Sequence, residues 1–154
     1  MNLTAVKTYL KKMTTRPILH ALHYENDEII VCDTISLIIE KTTCTIDTLL
    51  NIDISTGHQV AGTYPTVHTI KPSNDKLQEV NMYEITFGKD DMYYYVINNH
   101  SFSRDQVDRT LKVIDKNFLK MDMTEFKVSK EHERPYLVYE TSKHYVLILG
   151  LRSI

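Results

Sequence analysis

The chain has no tryptophan, two cysteines, four glycines and four prolines among its 154 residues. Cys32 and Cys44 both sit in strand-like apolar settings, where reduced, buried thiols are the expectation over a disulfide. No Cys-x-x-Cys spacing points to a redox site or a zinc knuckle. No apolar run approaches the ~18 residues of a membrane span, and the first residues carry lysine and threonine where a secretory signal would place an apolar core. A soluble, non-secreted, cytoplasmic protein with no membrane partner is expected. P-loop, Gly-x-Ser-x-Gly and His-Glu-x-x-His motifs are missing as well. His20 and His23 are three apart on a predicted strand and would point to opposite faces, too far apart in direction to share a metal. His58, His68, His100, His132 and His144 are scattered and read as surface or satisfied histidines. The expectation is therefore a protein that is not an enzyme, with no catalytic residue, metal or cofactor.

What is present is one core's worth of apolar sequence: 42% of residues are hydrophobic and 25% charged, enough for a single domain over 1–154 and too little for two large ones. The net charge of −2 excludes a protein that coats nucleic acid by sheer positive charge. The distribution is uneven. Residues 1–16 carry four bases and no acid, residues 17–100 four bases against twelve acids, and residues 101–154 ten bases and eight acids.

Leu3, Val6, Leu10 and Met13 recur at helical spacing, and Arg16-Pro17 ends that helix because the residue before proline is pushed toward extended geometry. Strands are predicted at Ile18 to Tyr24, Ile29 to Cys32 and Ile35 to Glu40, with Glu25-Asn26-Asp27 as a hairpin turn. Thr43 to Ile54 could be a strand or a short helix. Met82 to Phe87 and Met92 to Ile97 read as a hairpin around Gly88 to Asp91, in which Tyr93, Tyr94 and Tyr95 fit a half-buried strand better than a base-stacking surface. Ser103 three residues before Gln106 is a capping-box pattern, Asp105 lies in the first turn, and Val107, Leu111, Ile114 and Phe118 make the apolar stripe of a helix over Arg104 to Lys116. Arg109, Lys112 and Lys116 share another face of it. Strand candidates follow at Phe118 to Met123, Phe126 to Ser129, Tyr136 to Glu140 and Tyr145 to Leu151. The last is apolar enough that it needs either a covering element or a subunit interface. Asp33 reads as a turn carboxylate bonded to nearby backbone amides. The layout predicts an α+β fold: two helices packed on antiparallel sheets in a pseudo-repeat, with halves of about 1–72 and 101–154 around an inserted hairpin region of about 73–100.

This order of elements resembles the processivity-fold domain of DNA sliding clamps, in particular the bacterial DNA polymerase clamp family. Arg16-Pro17-Ile18-Leu19 with Val31-Cys32-Asp33-Thr34-Ile35-Ser36-Leu37 resembles the family's Arg-Pro-x-Leu strand and Thr-Asp-x-His-Arg-Leu turn. Tyr64-Pro65-Thr66-Val67-His68-Thr69-Ile70-Lys71-Pro72 is similar to its aromatic-Pro segment ending in Ile-x-Pro. Leu149-Gly150-Leu151-Arg152 resembles its C-terminal Met-Pro-Met-Arg. Ile35 and Ser36 stand where the family has His-Arg, and Gly150 where it has Pro. Both places line the family's pocket for polymerase and loader peptides, so conventional peptide binding is not expected here. The chain matches one domain, whereas the bacterial clamp has three per subunit, so a ring would need several copies.

The resemblance implies two functions. One is a clamp linked to DNA replication, which encircles or weakly contacts duplex DNA as a homo-oligomer through Lys7, Lys11, Lys12, Arg109, Lys112 and Lys116. Such phosphate contacts are sequence-independent and salt-sensitive. Ordinary solvated helix faces are the competing reading of the same residues. The other is a single-domain relative of the kind a phage or mobile element would carry. It would act as an interaction module or decoy for replication proteins such as polymerase or clamp-loader components, through Asp33, Leu37, Leu149, Leu151 and Arg152.

Overall fold

Two helices and antiparallel strands make up the structure, a computed structural model that describes residues 1–11, 17–43, 49–130 and 133–152. Lys12, Met13, Arg16, Cys44, His132 and the start of the ambiguous Thr43 to Ile54 segment lie outside the described residues in whole or part. The helix α1 (Leu3–Leu10) precedes the meander β1 (Ala21–Glu25), β2 (Glu28–Cys32) and β3 (Ser36–Lys41). Then come β4 (Leu50–Asp53), β5 (Leu77–Glu79), β6 (Tyr83–Phe87), β7 (Tyr93–Ile97) and β8 (His100–Ser103). The helix α2 (Arg104–Ile114) leads to a second meander, β9 (Lys127–Ser129), β10 (Tyr136–Glu140) and β11 (His144–Leu149). The large sheet has eight strands in the order β4-β1-β2-β3-β11-β10-β9-β5, and β6-β7-β8 form a separate three-stranded sheet. The two meanders therefore meet at their last strands, β3 against β11, in the middle of one open sheet.

That meeting resolves the last strand. β11 is central, paired with β3 and β10, and needs neither a cover nor a second subunit to satisfy its edge. It begins at His144 and ends at Leu149. Beyond it, Gly150 N–H donates to the Pro135 carbonyl at 2.7 Å and Leu151 N–H to Ser101 at 2.9 Å. A Cβ at Gly150 would stand 2.7 Å from the Ser101 oxygen, and proline there would also lose the bond to Pro135.

Helix α1 is capped by Asn2, which accepts from Ala5 N–H at 3.2 Å. Its buried side is Val6, Tyr9 and Leu10, while Leu3 is 55% exposed, so the inward stripe starts a turn later than the periodicity implied. Helix α2 is capped by Ser103, whose hydroxyl accepts from Gln106 N–H, and it buries Val107 and Leu111. It stops at Ile114 because Asp115 turns extended and its carboxylate accepts from Asn117 N–H at 2.8 Å. Lys116 therefore lies past the helix and not on its face. Phe118 to Met123 is not a strand. Short 3-10 turns, Phe118–Lys120 and Met123–Glu125, take its place, the second capped by Asp122. Pro17–His20 is likewise a 3-10 turn, so His20 sits off the strand that carries His23.

Both hairpins of tightest turn use left-handed residues: Asn26 and Asp27 between β1 and β2, and Asn98 and Asn99 between β7 and β8. The core is one cluster to which both helices and both meanders contribute. Alternation along the central pair splits it. Ser36, Ile38, Val146 and Ile148 face the helices, and Leu37, Ile39, Tyr145 and Leu147 face the other way, in the register Leu37↔Leu147 and Ile38↔Val146.

Candidate functional site

The turn from β2 to β3 is built by Asp33. Its Oδ1 accepts from the N–H groups of Ile35 and Ser36, each at 2.7 Å, as a turn carboxylate should. Its Oδ2 accepts from Gln106 Nε2 at 3.1 Å and lies 3.8 Å from the Arg109 guanidinium. Gln106 also donates to Ser36 Oγ at 3.0 Å, and Arg109 donates to the Gln106 side-chain oxygen Oε1. From α1, the Tyr9 hydroxyl donates to the Ser36 carbonyl at 2.9 Å and accepts from Asp33 N–H at 3.2 Å. Burial, reinforced by the Asp33 charge, pushes the Tyr9 phenol well above its ordinary range, so it stays a neutral donor. Both helices thus grip one turn through a buried polar network.

On the opposite side of that turn the sheet is hollow. A cavity of about 410 Å³ lies over Leu37, Leu147 and Leu149, with Leu19 at one end and a roof from the 65–72 segment that includes Val67 and Ile70. Its walls are overwhelmingly apolar. Asp33, Thr34, Ser36 and Thr66 are among the residues that line it. The roof is held down by Tyr64, a buried ring stacked on His23 with centroids 4.5 Å apart and planes 2° apart. The Tyr64 hydroxyl lies 3.3 Å from Cys32 Sγ. His23 is fixed in turn by Asn51 Oδ1 at 2.6 Å and Glu25 Oε2 at 2.9 Å. Cys32 is a buried thiol.

Asp33, Leu37 and Leu149 line this cavity, together with Ile35 and Ser36. Leu151 and Arg152 do not; both are exposed beyond the end of β11, on the side where Leu151 joins β8. Val67, Ile70 and Leu147 are cavity residues that the sequence reading did not single out. Period-two alternation would have placed Leu147 beside Leu149. Nothing in the 65–72 segment announced that it folds back over the sheet.

The basic residues divide. Lys7, Lys11 and Lys112 are exposed on or just beyond the two helices, which pack side by side, and Lys116 is exposed past α2. Arg109 turns inward, its side chain only 15% exposed against Asp33. The hollow between α2 and the β6–β7 hairpin mixes Arg104, Arg109 and Lys112 with Asp91, Asp105 and Asp108. Asp108 is itself held by Tyr95, whose hydroxyl donates at 2.7 Å and whose pKa is pushed up to about 12 by burial and by that bond. Among the described residues no group of three or more His, Cys, Asp or Glu could hold a metal ion. No helix of the described residues is long and apolar enough to cross a membrane.

Comparison with known proteins returned no match of this chain to a protein-family model, to a curated protein or to a solved structure.

Proposed function

We propose that this chain is a non-catalytic, DNA-clamp-like interaction module that receives a short apolar segment of a replication protein, of the polymerase or clamp-loader kind, in the cavity over Leu37, Leu147 and Leu149. The observation that carries this reading is a concave, mainly apolar cavity of about 410 Å³ rimmed by a few polar groups, the usual form of a ligand site. Support for the clamp-like part comes from the topology: each helix is followed by a three-stranded meander and the meanders join at their last strands. Ile35 and Ser36, which stand where the clamp family has His-Arg, bring no positive charge to the lip. That change alters which segment fits without closing the cavity.

The test is fluorescence anisotropy with labelled peptides from the C-terminal segments of polymerase and loader subunits, against the chain and its Ile70→Asp variant. Ile70 is 56% exposed, so the substitution spares the fold. Saturable binding that weakens at least about tenfold in the variant, a loss of ~1.4 kcal/mol, is expected. No binding, or binding indifferent to Ile70→Asp, overturns the reading.

A second reading has its own observation. Lys7, Lys11, Lys112 and Lys116 are exposed on the helix side of the sheet, opposite the cavity. We propose weak, sequence-independent contact of that side with duplex DNA, within a homo-oligomer.

A further inference from the structure

Six of the eleven exposed large hydrophobic side chains among the described residues fall in one stretch of twelve: Met82, Tyr83, Ile85, Phe87, Met92 and Tyr93, each 46–59% exposed. They belong to the β6–β7 hairpin. Tyr83, Ile85 and Phe87 lie opposite Ile97, Tyr95 and Tyr93, so they share the sheet face that α2 covers at Tyr95 and Ile97 but project past the helix. Nothing among the described residues lies on their outer side.

The backbone there is open too. The Met82 carbonyl accepts from Asn98 and the Gly88 N–H donates to Met92, so both point at β7. By antiparallel alternation Glu84 and Thr86 point the same way, and the N–H and C=O groups of Tyr83, Ile85 and Phe87 point outward. The other sheet ends are at least partly engaged. The outer side of β4 is bonded to residues 58–60, that of β8 to Leu151, and the Glu79 carbonyl of the three-residue β5 accepts from Asn98 Nδ2. Among the described residues β6 is the longest open edge, and its sequence Tyr-Glu-Ile-Thr-Phe has no lysine, proline or bulge to discourage pairing.

We propose that β6 is a self-recognition strand: two copies of this chain pair β6 to β6, antiparallel, about a two-fold axis at Ile85. The register follows from the outward groups. Ile85 meets the partner's Ile85 and Tyr83 meets the partner's Phe87, each a hydrogen-bonded pair with apolar side chains opposed on the same face. Glu84 faces the partner's Thr86, so no carboxylate directly opposes another. A two-fold interface needs this self-complementarity, residue i against j and j against i. The four half-exposed side chains on this face, Tyr83, Ile85, Phe87 and Tyr93, offer roughly 400 Å² per copy, taking ~200 Å² for a fully exposed large side chain, about half of the ~800 Å² per partner of a standard interface and the size of a weak, concentration-dependent dimer. The charges around the strand are mixed, Glu84, Asp90, Asp91 and Asp105 with Lys89 and Arg104, so no basic stripe favours a nucleic acid as the occupant. This inference does not depend on what enters the cavity, which lies on another face.

Analytical ultracentrifugation of the full chain and of Ile85→Lys tests it. The wild type is expected to show a concentration-dependent mass of two copies. Ile85→Lys sets two ammonium groups face to face and is expected to raise the dimer dissociation constant at least tenfold, with an unchanged circular dichroism spectrum. Ile85→Cys gives the second arm: Cα atoms of a hydrogen-bonded antiparallel pair lie ~5.5 Å apart, within disulfide reach, so mild oxidation yields a covalent dimer linked through position 85. Glu84→Cys, facing Thr86, does not cross-link. A wild type that stays monomeric to millimolar concentration, a dimer that survives Ile85→Lys, or equal cross-linking at 84 and 85 overturns the proposal.

Discussion

The cavity over Leu37 and the β6 edge both present apolar surface, yet they are built in opposite ways. The cavity is concave, sits on the central strands, and its lip is wired to both helices by Asp33, Ser36, Gln106 and Tyr9. The β6 edge lies at the end of a small sheet, its apolar side chains half exposed beside the buried Tyr95 and Ile97 of β7. A rigid concavity selects a guest by shape. An open edge selects by backbone hydrogen bonds and the pattern of alternate side chains. The difference separates what the core's integrity controls from what it does not.

Asp33→Ala gives the largest expected effect. It removes the acceptor of two turn amides and leaves Gln106 and Arg109 facing an empty position, so unfolding in urea should show a loss of about 2–4 kcal/mol. Ile85→Lys, by contrast, should change monomer stability by no more than about 0.5 kcal/mol, as an exposed substitution away from the core does. A small loss for Asp33→Ala would detach the cavity lip from the helices and break the contrast.

The crossed pair of variants sharpens it. Ile70→Asp should weaken peptide binding at least about tenfold and leave the mass in solution unchanged, while Ile85→Lys should lower the mass and leave peptide binding unchanged. Coupling between them, measured by repeating each assay on the other variant, would mean the two surfaces are one.

A smaller effect concerns pH. Burial raises the carboxyl of Glu40, but bonds from the Met1 amino group at 2.9 and 3.1 Å and from His144 at 2.7 Å outweigh it and leave its pKa below the ordinary 4.5. A carboxyl whose folded pKa is lowered contributes stability that is complete above the unfolded value and is lost as pH falls through the folded one. Thermal midpoints should therefore fall more steeply below about pH 4.5 for the wild type than for Glu40→Gln. Parallel curves would show that this ion pair contributes nothing.

The smallest effect is expected on the helix side. Reversing Lys7, Lys11 and Lys112 to Glu should remove weak retention on duplex DNA at low salt, without change in peptide binding or mass. Retention that persists, or that does not weaken with salt in the wild type, contradicts a phosphate contact there.

Several of these elements could be read directly from residues. The cap at Ser103, the Asn26-Asp27 turn, the strand Tyr136–Glu140 and the amide-bonding Asp33 each rest on a local rule, and each appears where that rule puts it. What was missed is tertiary or competitive. Asp115 and Asp122 bonded their own backbone and converted an apolar run at Phe118 to Met123 into turns. Asn98-Asn99 signalled the hairpin that makes β8, and went unused. Arg109 shares helical spacing with Lys112, but spacing cannot report that Asp33 lies on the next layer to draw it inward. The cavity needed separated pieces, Leu19, 32–37, 65–72, Tyr136 and 147–149, to converge. Leu37 and Leu149 could be named from resemblance, whereas the fold-back that brings Ile70 over them is visible only in the structure.

The most direct test of the central claim is methyl NMR of the chain titrated with a polymerase-derived apolar peptide. Binding in the cavity is expected to shift the methyl signals of Leu37, Val67, Ile70 and Leu149 while leaving Ile85 in place. Shifts centred on Ile85, or none in the cavity at saturation, would contradict the claim that this pocket is where a partner binds.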